Sequence, residues 1–294
     1  MDISKYRIVP GKDVDLTKLA ENEGHDYTEE EIKEKLVPKS VEQLREWQLK
    51  LHAEEKKGIL VVLQAIDAAG KDEIITFIFS HLMPQGLEVN PVKKPTEEEL
   101  KHDFLWRIHK GMSERGQIAI LNRSYYEDLI APIVYGEDQT IPMPSNEQND
   151  DPWEIRCRQI NDFEKYMKES GFPVVKFFLN VSSEKQKERL LERMKNPDKN
   201  WEFSFSDVED RDKWGEFQKV YERILNHTST EHAPWYVLPA DDAWYTRYTA
   251  AEIMIHVLKE LDPKKPVMTD EDKERLNEEI KKLEQENENQ KSNQ

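Results

Sequence analysis

An apolar run that ends in a tight turn of small residues constrains this chain more than any other stretch. Residues 59–66 read ILVVLQAI, and residues 67–72, DAAGKD, follow at once. A buried strand that feeds a small-residue turn and an amphipathic helix, here 73–82, is typical of a phosphate-binding loop. Backbone N–H groups at a helix start attract an oxyanion. Ala68, Ala69 and Gly70 have no large side chain that would keep it away.

The loop departs from the G-x-x-x-x-G-K-[ST] pattern at two positions. Ala65 replaces the first glycine, and Asp72 replaces the Ser/Thr whose hydroxyl normally helps to hold Mg²⁺. Asp67 is the candidate for that metal-binding role, and Lys71 supplies a charge that can reach the outer phosphates. For these residues alone, the alternative interpretation is a buried strand with a Gly-Lys helix start and no ligand.

Composition excludes several classes of function. The 294 residues carry a formal net charge of −17. This argues against binding to nucleic acids or membrane surfaces, because both kinds of binding need a positively charged protein surface. A polyanionic substrate would therefore need cations gathered locally. The one cysteine, Cys157, excludes an intramolecular disulfide and fits a reducing cytosol. Because no apolar run approaches about 18 residues, we expect no transmembrane helix and a cytoplasmic protein.

Apolar runs alternate with amphipathic segments along the chain, which predicts right-handed βαβ units. Besides the run at residue 59, the predicted strands are 86–92, 117–121, 174–181 and 235–238. The further predicted helices are 40–57 with Ser40 as N-cap, 96–112 with a Thr96–Glu99 capping box, 152–170, 182–196, 214–226 and 243–261. A polar loop is predicted at 136–151. The fold class is therefore α/β, with a parallel sheet covered by helices on both faces.

The chain divides into three parts. We interpret residues 1–39 as an N-terminal extension that wraps the domain, with a short helix at 28–36. Residues 40–262 form the main predicted domain, in which an irregular excursion, residues 197–214, precedes a helix. Trp201 in this excursion is expected to pack in the core, and stacking on a base is the alternative. Residues 263–294 are a charged tail, expected to be a solvated helix because it has too few apolar positions for a core.

A second strand end adds polar residues to the same predicted crevice. The strand at 117–121 is followed directly by Asn122 and Arg123. Ligands of open parallel sheets bind at the carboxyl ends of the strands, so Asp67, Lys71, Asn122 and Arg123 should converge there. We predict these four as the catalytic residues. The alternatives are an ordinary salt bridge for Arg123 and a loop-capping amide for Asn122.

Four sequence motifs, found in a fixed order, make the chain similar to a known family. They are DAAGKD, VKKPTEEELKHDFLWRIH, LNRSYYEDL and FFLNVSSEKQKERLLERMKNPDKNW. Over about residues 36–262 they resemble the polyphosphate kinase 2 family, most closely its class III branch, which phosphorylates nucleoside mono- and diphosphates. The resemblance implies that residues 40–262 are a P-loop kinase-like catalytic domain with a helical lid at about 195–213. It also implies a Walker A-like loop, Mg²⁺ as cofactor and inorganic polyphosphate as donor. Because family members are often homotetramers, it also implies a homo-oligomer.

The resemblance assigns roles to individual residues. Asp67 would engage the metal, and Arg123 would be the arginine of the second motif. The resemblance assigns phosphate binding to Gly70, Lys71, Lys93, Arg189 and Arg193, and their place in the loop adds Ala68, Ala69 and Asp72 as phosphate-binding candidates. Asn122 departs from the other classes, which have an aspartate there, and Glu127-Asp128 replaces an uncharged residue and an arginine. Acceptor choice therefore cannot be taken from those classes, and we assign nucleotide binding to Arg107, Glu127 and Asp128 as a hypothesis.

The residue types fit phosphoryl transfer on physical grounds as well. A phosphate acceptor is already an oxyanion at neutral pH, so the reaction needs positioning and charge neutralisation more than a general base. The favoured function is transfer from polyphosphate to AMP or ADP, with GMP and GDP as further acceptors. The alternatives are an ATP-dependent kinase of a small phosphate acceptor on the same fold, and a P-loop binding protein without turnover. Asp67, Lys71 and Arg123 argue against the last.

Overall fold

The computed structural model describes residues 1–21, 25–136 and 151–292 and contains one five-stranded parallel sheet. Its strands are β1 (Ile59–Gln64), β2 (Leu87–Pro91), β3 (Ile118–Asn122), β4 (Val174–Asn180) and β5 (Trp235–Pro239), in the order β2-β3-β1-β4-β5. Every residue of β1, β4 and β5 is buried. This explains their continuous apolar runs, because parallel strands are covered on both faces. The predicted strands and the α/β class are confirmed.

Helices cover the sheet in two groups. The helices are α1 (Leu16–Glu21), α2 (Glu29–Glu31), α3 (Val37–Glu54), α4 (Lys71–Phe77), α5 (Trp106–Lys110), α6 (Glu127–Val134), α7 (Pro152–Glu169), α8 (Ser183–Lys195), α9 (Phe205–Asp212), α10 (Trp214–Thr228), α11 (Ala243–Leu261) and α12 (Asp270–Ser292). Helices α3, α4 and α11 pack together, as do α6, α7 and α10. The helices predicted at 152–170, 182–196, 214–226 and 243–261 are confirmed within two residues at each end.

The helix predicted from Ser40 begins earlier. α3 starts at Val37 and continues from a π-helical turn, Ile32–Leu36, that follows α2. Pro38 has no N–H and its ring crowds the carbonyl four residues back, a conflict that a widened turn relieves. Ser40 is therefore not an N-cap. Its hydroxyl is buried inside the helix and donates a 2.6 Å hydrogen bond to Glu252.

The helix predicted at 96–112 is broken in the structure. The Thr96–Glu99 capping box forms, but only a 3₁₀ turn follows, and α5 begins at Trp106. The side chain of Asp103 accepts a 3.0 Å hydrogen bond from the N–H of Leu105, a local cap that competes with a continuous helix. Leu100, inside the predicted helix, is 43% exposed. The helix predicted at 73–82 likewise ends at Phe77, before a 3₁₀ turn.

The predicted lid is more regular than expected. Within 195–213 the chain forms a 3₁₀ helix, Pro197–Glu202, and then α9, which a Ser204–Asp207 capping box begins. Trp201 is 81% exposed, so the expectation that it packs in the core is wrong. Most of the loop predicted at 136–151 lies outside the described residues.

The two ends of the chain pack differently. Tyr6 and Ile8 are buried, and Arg7 pairs with Tyr236 of β5 in an antiparallel bridge, so the N-terminal segment packs on the sheet. The division at residue 39 stays a prediction. The apolar side chains of α12, Leu276 among them, are exposed. Within the described ranges, no helix combines the length and the hydropathy that crossing a bilayer requires.

Candidate active site

The loop between β1 and α4 has a strained backbone at the edge of the sheet. Ala68 has φ of 63° and Gly70 has φ of 108°. The left-handed conformation costs a residue with a Cβ about 1–2 kcal/mol, so neighbouring contacts must hold Ala68 in place. One Nη of Arg189 donates to the carbonyl oxygens of Ala68 and Ala69, at 3.2 and 2.8 Å, and the other donates to Ala240. Arg189 thus fixes the loop from outside.

Lys71 is turned into the loop. Its Nζ donates to the carbonyl oxygens of Ala65 and Ile66, at 2.9 and 3.1 Å, and lies 3.5 Å from Asp67. The residue is 6% exposed, and burial lowers the pKa of Lys71 while Asp67 opposes that shift. α4 has seven residues, so its dipole is short and the Lys71 charge is the stronger attraction for an anion.

Arg123 joins the end of β3 to the loop after β1. Its Nη2 lies 2.6 Å from both carboxylate oxygens of Asp67, and its φ is 63°. Burial raises the pKa of Asp67, but Lys71 and Arg123 outweigh it and lower the pKa overall, so the carboxylate is ionised at neutral pH. The structure therefore brings Asp67, Lys71 and Arg123 together. The contact is a salt bridge, as the alternative interpretation holds, but it lies at the strand ends where ligands bind.

Asn122 connects β3 to the first turn of α4. Its Nδ2 donates a 2.7 Å hydrogen bond to Oδ1 of Asp72. This contact agrees with the loop-capping alternative, and it leaves the amide oxygen of Asn122 available as an acceptor. The catalytic role of Asn122 stays a prediction.

A cleft of about 420 Å³ lies over these strand ends, and we call it the large cleft. Its lining includes most of the predicted site: Asp67, Ala68, Gly70, Lys71, Asp72, Lys93, Asn122, Arg123 and Arg193. Ala69 and Arg189 do not line it and lie on the other side of Gly70. Their assignment to phosphate binding stays a prediction.

A second cleft of about 130 Å³, the small cleft, adjoins the first. It contains the predicted nucleotide-binding residues, and its lining is Val92, Lys93, Lys94, Pro95, Arg107, Arg123, Glu127, Asp128, Ala131 and Tyr135. Arg107 donates a 2.7 Å hydrogen bond to Asp128, and both side chains are buried. Burial raises the pKa of Asp128, and Arg107 opposes the rise. Three positively charged residues line both clefts and therefore lie at their junction: Lys93, Lys94 and Arg123.

The lid contributes carboxylates that were not predicted from the sequence. Glu202 lies 3.3 Å from Nε of Arg193, and Asp207 also lines the large cleft. Burial raises the pKa of Asp207, and the charge of Asp67 raises it further. The capping-box pattern Ser204-x-x-Asp207 was the available sequence signal for this element.

A buried polar network supports the turn that follows Arg123, and sequence patterns gave no signal for it. The hydroxyls of Tyr125 and Tyr126 donate to one oxygen of Glu164, at 2.8 and 2.7 Å. Lys176 of β4 donates to the other oxygen at 2.6 Å. Because these side chains are buried and mutually paired, the network anchors the β3 turn against the sheet.

The donor set of the large cleft fits Mg²⁺. This ion takes one or two carboxylates together with waters and substrate phosphates, in place of an all-protein cage. The described residues contain no cluster of three or more His, Cys, Asp or Glu side chains arranged for a metal. Asp67 and Asp72 offer carboxylate oxygens and Asn122 an amide oxygen, which are hard ligands of the type this ion prefers.

The structure is that of a P-loop kinase-like protein. It combines a parallel sheet and a strained loop that carries a lysine with an arginine on the neighbouring strand and a helical lid. The family model for polyphosphate kinase 2 matches residues 26–266. The chain therefore belongs to the polyphosphate kinase 2 family, which confirms the resemblance.

Individual relatives agree with this membership. The chain is 36% identical over 267 residues to an ADP-polyphosphate phosphotransferase of Rhodopseudomonas palustris, covering 90% of this chain and 92% of that protein. It is 40% identical over 211 residues to an AMP/ADP-polyphosphate phosphotransferase of Meiothermus ruber, covering 72% and 75%. The crystal structure of a polyphosphate kinase 2 from Arthrobacter aurescens superimposes with a TM-score of 0.81 at 33% identity, covering 93% of this chain and 95% of that one.

Proposed function

We propose that this chain transfers the terminal phosphoryl group of inorganic polyphosphate to AMP and ADP. The observation that carries the proposal is the junction of the two clefts. A transferase must hold two anionic substrates with their reacting ends together, and charge repulsion between them has to be neutralised. The large and small clefts meet at Lys93, Lys94 and Arg123, which supply that neutralisation.

The large cleft takes the polyphosphate donor. It is the larger space, and it adds Lys71 and Arg193 to the shared cations. A guanidinium pairs with phosphate oxygens through parallel hydrogen bonds, which suits a repeating anion. Phosphate oxygens that displace the carbonyl contacts of Lys71 would gain its full charge at the loop.

The small cleft takes the acceptor nucleotide with its phosphate toward the junction. Arg107, Glu127 and Asp128 are the residues assigned to it, and Tyr135 adds an aromatic wall. The relative from Meiothermus ruber is named for both AMP and ADP, which supports acceptance of both. Membership of the class III branch and the use of GMP and GDP are parts of the same proposal.

The reaction requires one bond to form and one to break. An oxygen of the acceptor phosphate forms a bond to the terminal phosphorus of the chain, the bridging P–O bond breaks, and the chain leaves one unit shorter. Arg123 and Lys71 would neutralise the charge on the transferred group. Mg²⁺ would be held through Asp67 and would supply further charge neutralisation. We place the reaction in the cytoplasm, and we expect a homo-oligomer because the family resemblance implies one.

A donor exchange experiment tests the proposal. Purified protein with Mg²⁺ and ADP should form ATP when polyphosphate is added, and AMP with polyphosphate should give ADP and then ATP. The alternative, an ATP-dependent kinase of another small phosphate acceptor, predicts consumption of ATP without polyphosphate. Absence of ATP from either nucleotide with polyphosphate would refute the proposed function.

A further inference from the structure

Arg247 is a buried arginine without a hydrogen-bond acceptor among the described residues. It lies near the start of α11, is 7% exposed, and its Nε is buried without a partner. Its guanidinium carbon lies 3.8 Å from the ring centroid of Phe77 and 4.3 Å from that of Trp244. These rings hold the plane of the guanidinium, but they cannot accept its N–H groups as an oxyanion would.

Arg247 lines a small cavity behind the phosphate loop, which we call the Arg247 pocket. The cavity measures about 40 Å³ and is lined by Ala69, Gly70, Glu73, Ile74, Arg189, Ala240, Ala243, Thr246 and Arg247. One water needs roughly 15 Å³, so the space admits a group with a few oxygen atoms. Gly70 lines both this pocket and the large cleft, so the two spaces lie on either side of one residue without a side chain.

The charges of the pocket favour an anion. Two guanidinium groups, of Arg189 and Arg247, face one carboxylate, that of Glu73, whose Oε2 is also buried without a partner. Burial lowers the pKa of Arg247; Glu73 opposes this shift and Arg189 adds to it. Arg247 is the buried charge of this set, and burying a charged group whose N–H groups have no acceptor is costly unless a ligand offsets it.

We propose that the Arg247 pocket is an oxyanion subsite that binds a phosphoryl group, with Arg247 as its principal donor. The identity of the occupant rests on the proposed function. It is a phosphoryl unit of the polyphosphate donor that lies away from the reacting end of the chain. The chain would pass from the large cleft over Gly70 into the pocket. The same chemistry would also accept free inorganic phosphate, so the experiment separates these two sources.

Chain-length dependence tests the subsite. Arg247→Gln should raise the KM for long-chain polyphosphate about tenfold, because a charge-assisted hydrogen bond is lost. The KM for tripolyphosphate, which has only two phosphoryl units beyond the reacting one, and the KM for ADP should stay within about twofold. Arg115→Gln is the matched control. Arg115 also lies over an aromatic ring, that of Phe172, but it contacts the chain at Lys56 and Ser170, away from the pocket.

A substitution of opposite sign separates binding from packing. Glu73→Gln removes the negative charge of the pocket and should lower the KM for long-chain polyphosphate, a change that loss of packing cannot produce. Ala243→Leu, which fills the cavity without altering its charge, should raise that KM and covers the case in which Arg247→Gln fails to fold.

Binding measured by calorimetry, without turnover, distinguishes the source and keeps the test independent of the proposed function. Tighter binding of long-chain polyphosphate than of tripolyphosphate in wild type, lost in Arg247→Gln, supports the donor chain as occupant. Binding of inorganic phosphate that Arg247→Gln abolishes, with no effect of chain length, supports the subsite but assigns it to free phosphate. If long-chain polyphosphate and inorganic phosphate each bind wild type, Arg247→Gln and Ala243→Leu with equal affinity, the subsite does not exist.

Discussion

At the scale of single residues, the site is a set of opposed charges that substrate has to rearrange. Asp67 pairs with Arg123 and Lys71, and Arg193 pairs with Glu202, so several of the cations proposed for phosphate binding have a carboxylate partner. Such partners keep the cations in place without substrate. They also mean that each carboxylate influences how tightly phosphate binds.

Asp67→Asn should weaken the response to Mg²⁺. An amide is a poorer ligand than a carboxylate for a hard cation, and the loop has no hydroxyl at Asp72 to compensate. We expect the Mg²⁺ concentration for half-maximal activity to rise about tenfold, as measured by titrating Mg²⁺ at saturating substrates. An unchanged dependence of activity on Mg²⁺ would mean that Asp72, and not Asp67, holds the metal.

The same substitution gives a prediction for stability against pH. The folded pKa of Asp67 is lowered, so its ion pairs stabilise the protein above the unfolded pKa of about 3.9 and lose that effect as pH falls through the folded pKa. Thermal melts should therefore show wild type more stable than Asp67→Asn at neutral pH and the difference shrinking in acid. A constant difference at every pH would mean that the charge of Asp67 is not responsible.

Arg193→Ala should act on the donor more than on the acceptor. Arg193 lines the large cleft and is absent from the lining of the small one. The KM for polyphosphate should rise about tenfold, with a smaller change for ADP and a flatter dependence on salt. Glu202→Gln is the matched control, because it frees Arg193 and should lower the KM for polyphosphate. Equal losses for donor and acceptor would make Arg193 a residue of the transition state instead.

At the scale of elements, α9 places the carboxylate of Asp207 against an anion-binding cleft. Asp207 is buried near Asp67, and its raised pKa reflects burial first and that repulsion second. The negative charge of Asp207 on this helix should weaken the binding of polyphosphate until the lid changes its position.

Asp207→Asn should therefore favour both binding and folding. We expect the KM for polyphosphate to fall about threefold, because one repelling charge leaves the cleft. The folded pKa of Asp207 is raised, so its ionised form destabilises the protein at neutral pH, and that cost disappears as pH falls below the unfolded pKa. Thermal melts should show a higher Tm for the variant at neutral pH only. A raised KM would instead make Asp207 a ligand for metal or substrate.

The elements also show what the sequence could and could not predict. The strands β1, β3, β4 and β5 were predictable because buried parallel strands are apolar along most of their length, whereas the edge strand β2 is largely exposed and gives a weaker signal. The meeting of Asp67 with Arg123 followed from the rule for strand ends. The break at residue 102 was not, because the cap formed by Asp103 outweighs the helical pattern locally. The bond between Glu164 and Lys176 joins a helix and a strand, and no local pattern encodes such a contact.

At the scale of the whole molecule, catalytic core and tail differ in packing. α12 follows an extended segment, and its apolar residues Leu276, Ile280 and Leu283 are exposed. Deleting residues 269–294 should leave kcat and both KM values within about twofold, since surface segments without core contacts contribute little. Steady-state kinetics and light scattering check this. A loss of activity or of assembly in the truncated protein would mean that α12 docks on a neighbouring subunit.

We propose that the loop at Lys71 transfers phosphoryl groups from polyphosphate to a nucleotide. The most direct test of this claim is the initial rate of ATP formation from ADP and polyphosphate, in wild type, Lys71→Ala and Lys50→Ala. Lys50 lies over Trp47 on α3 and is outside both clefts, so it controls for the loss of one lysine. We predict ATP formation by wild type and Lys50→Ala, and a rate about 10²–10³ lower in Lys71→Ala with an unchanged circular dichroism spectrum. No ATP from wild type, or more than about a tenth of its rate in Lys71→Ala, would contradict the claim.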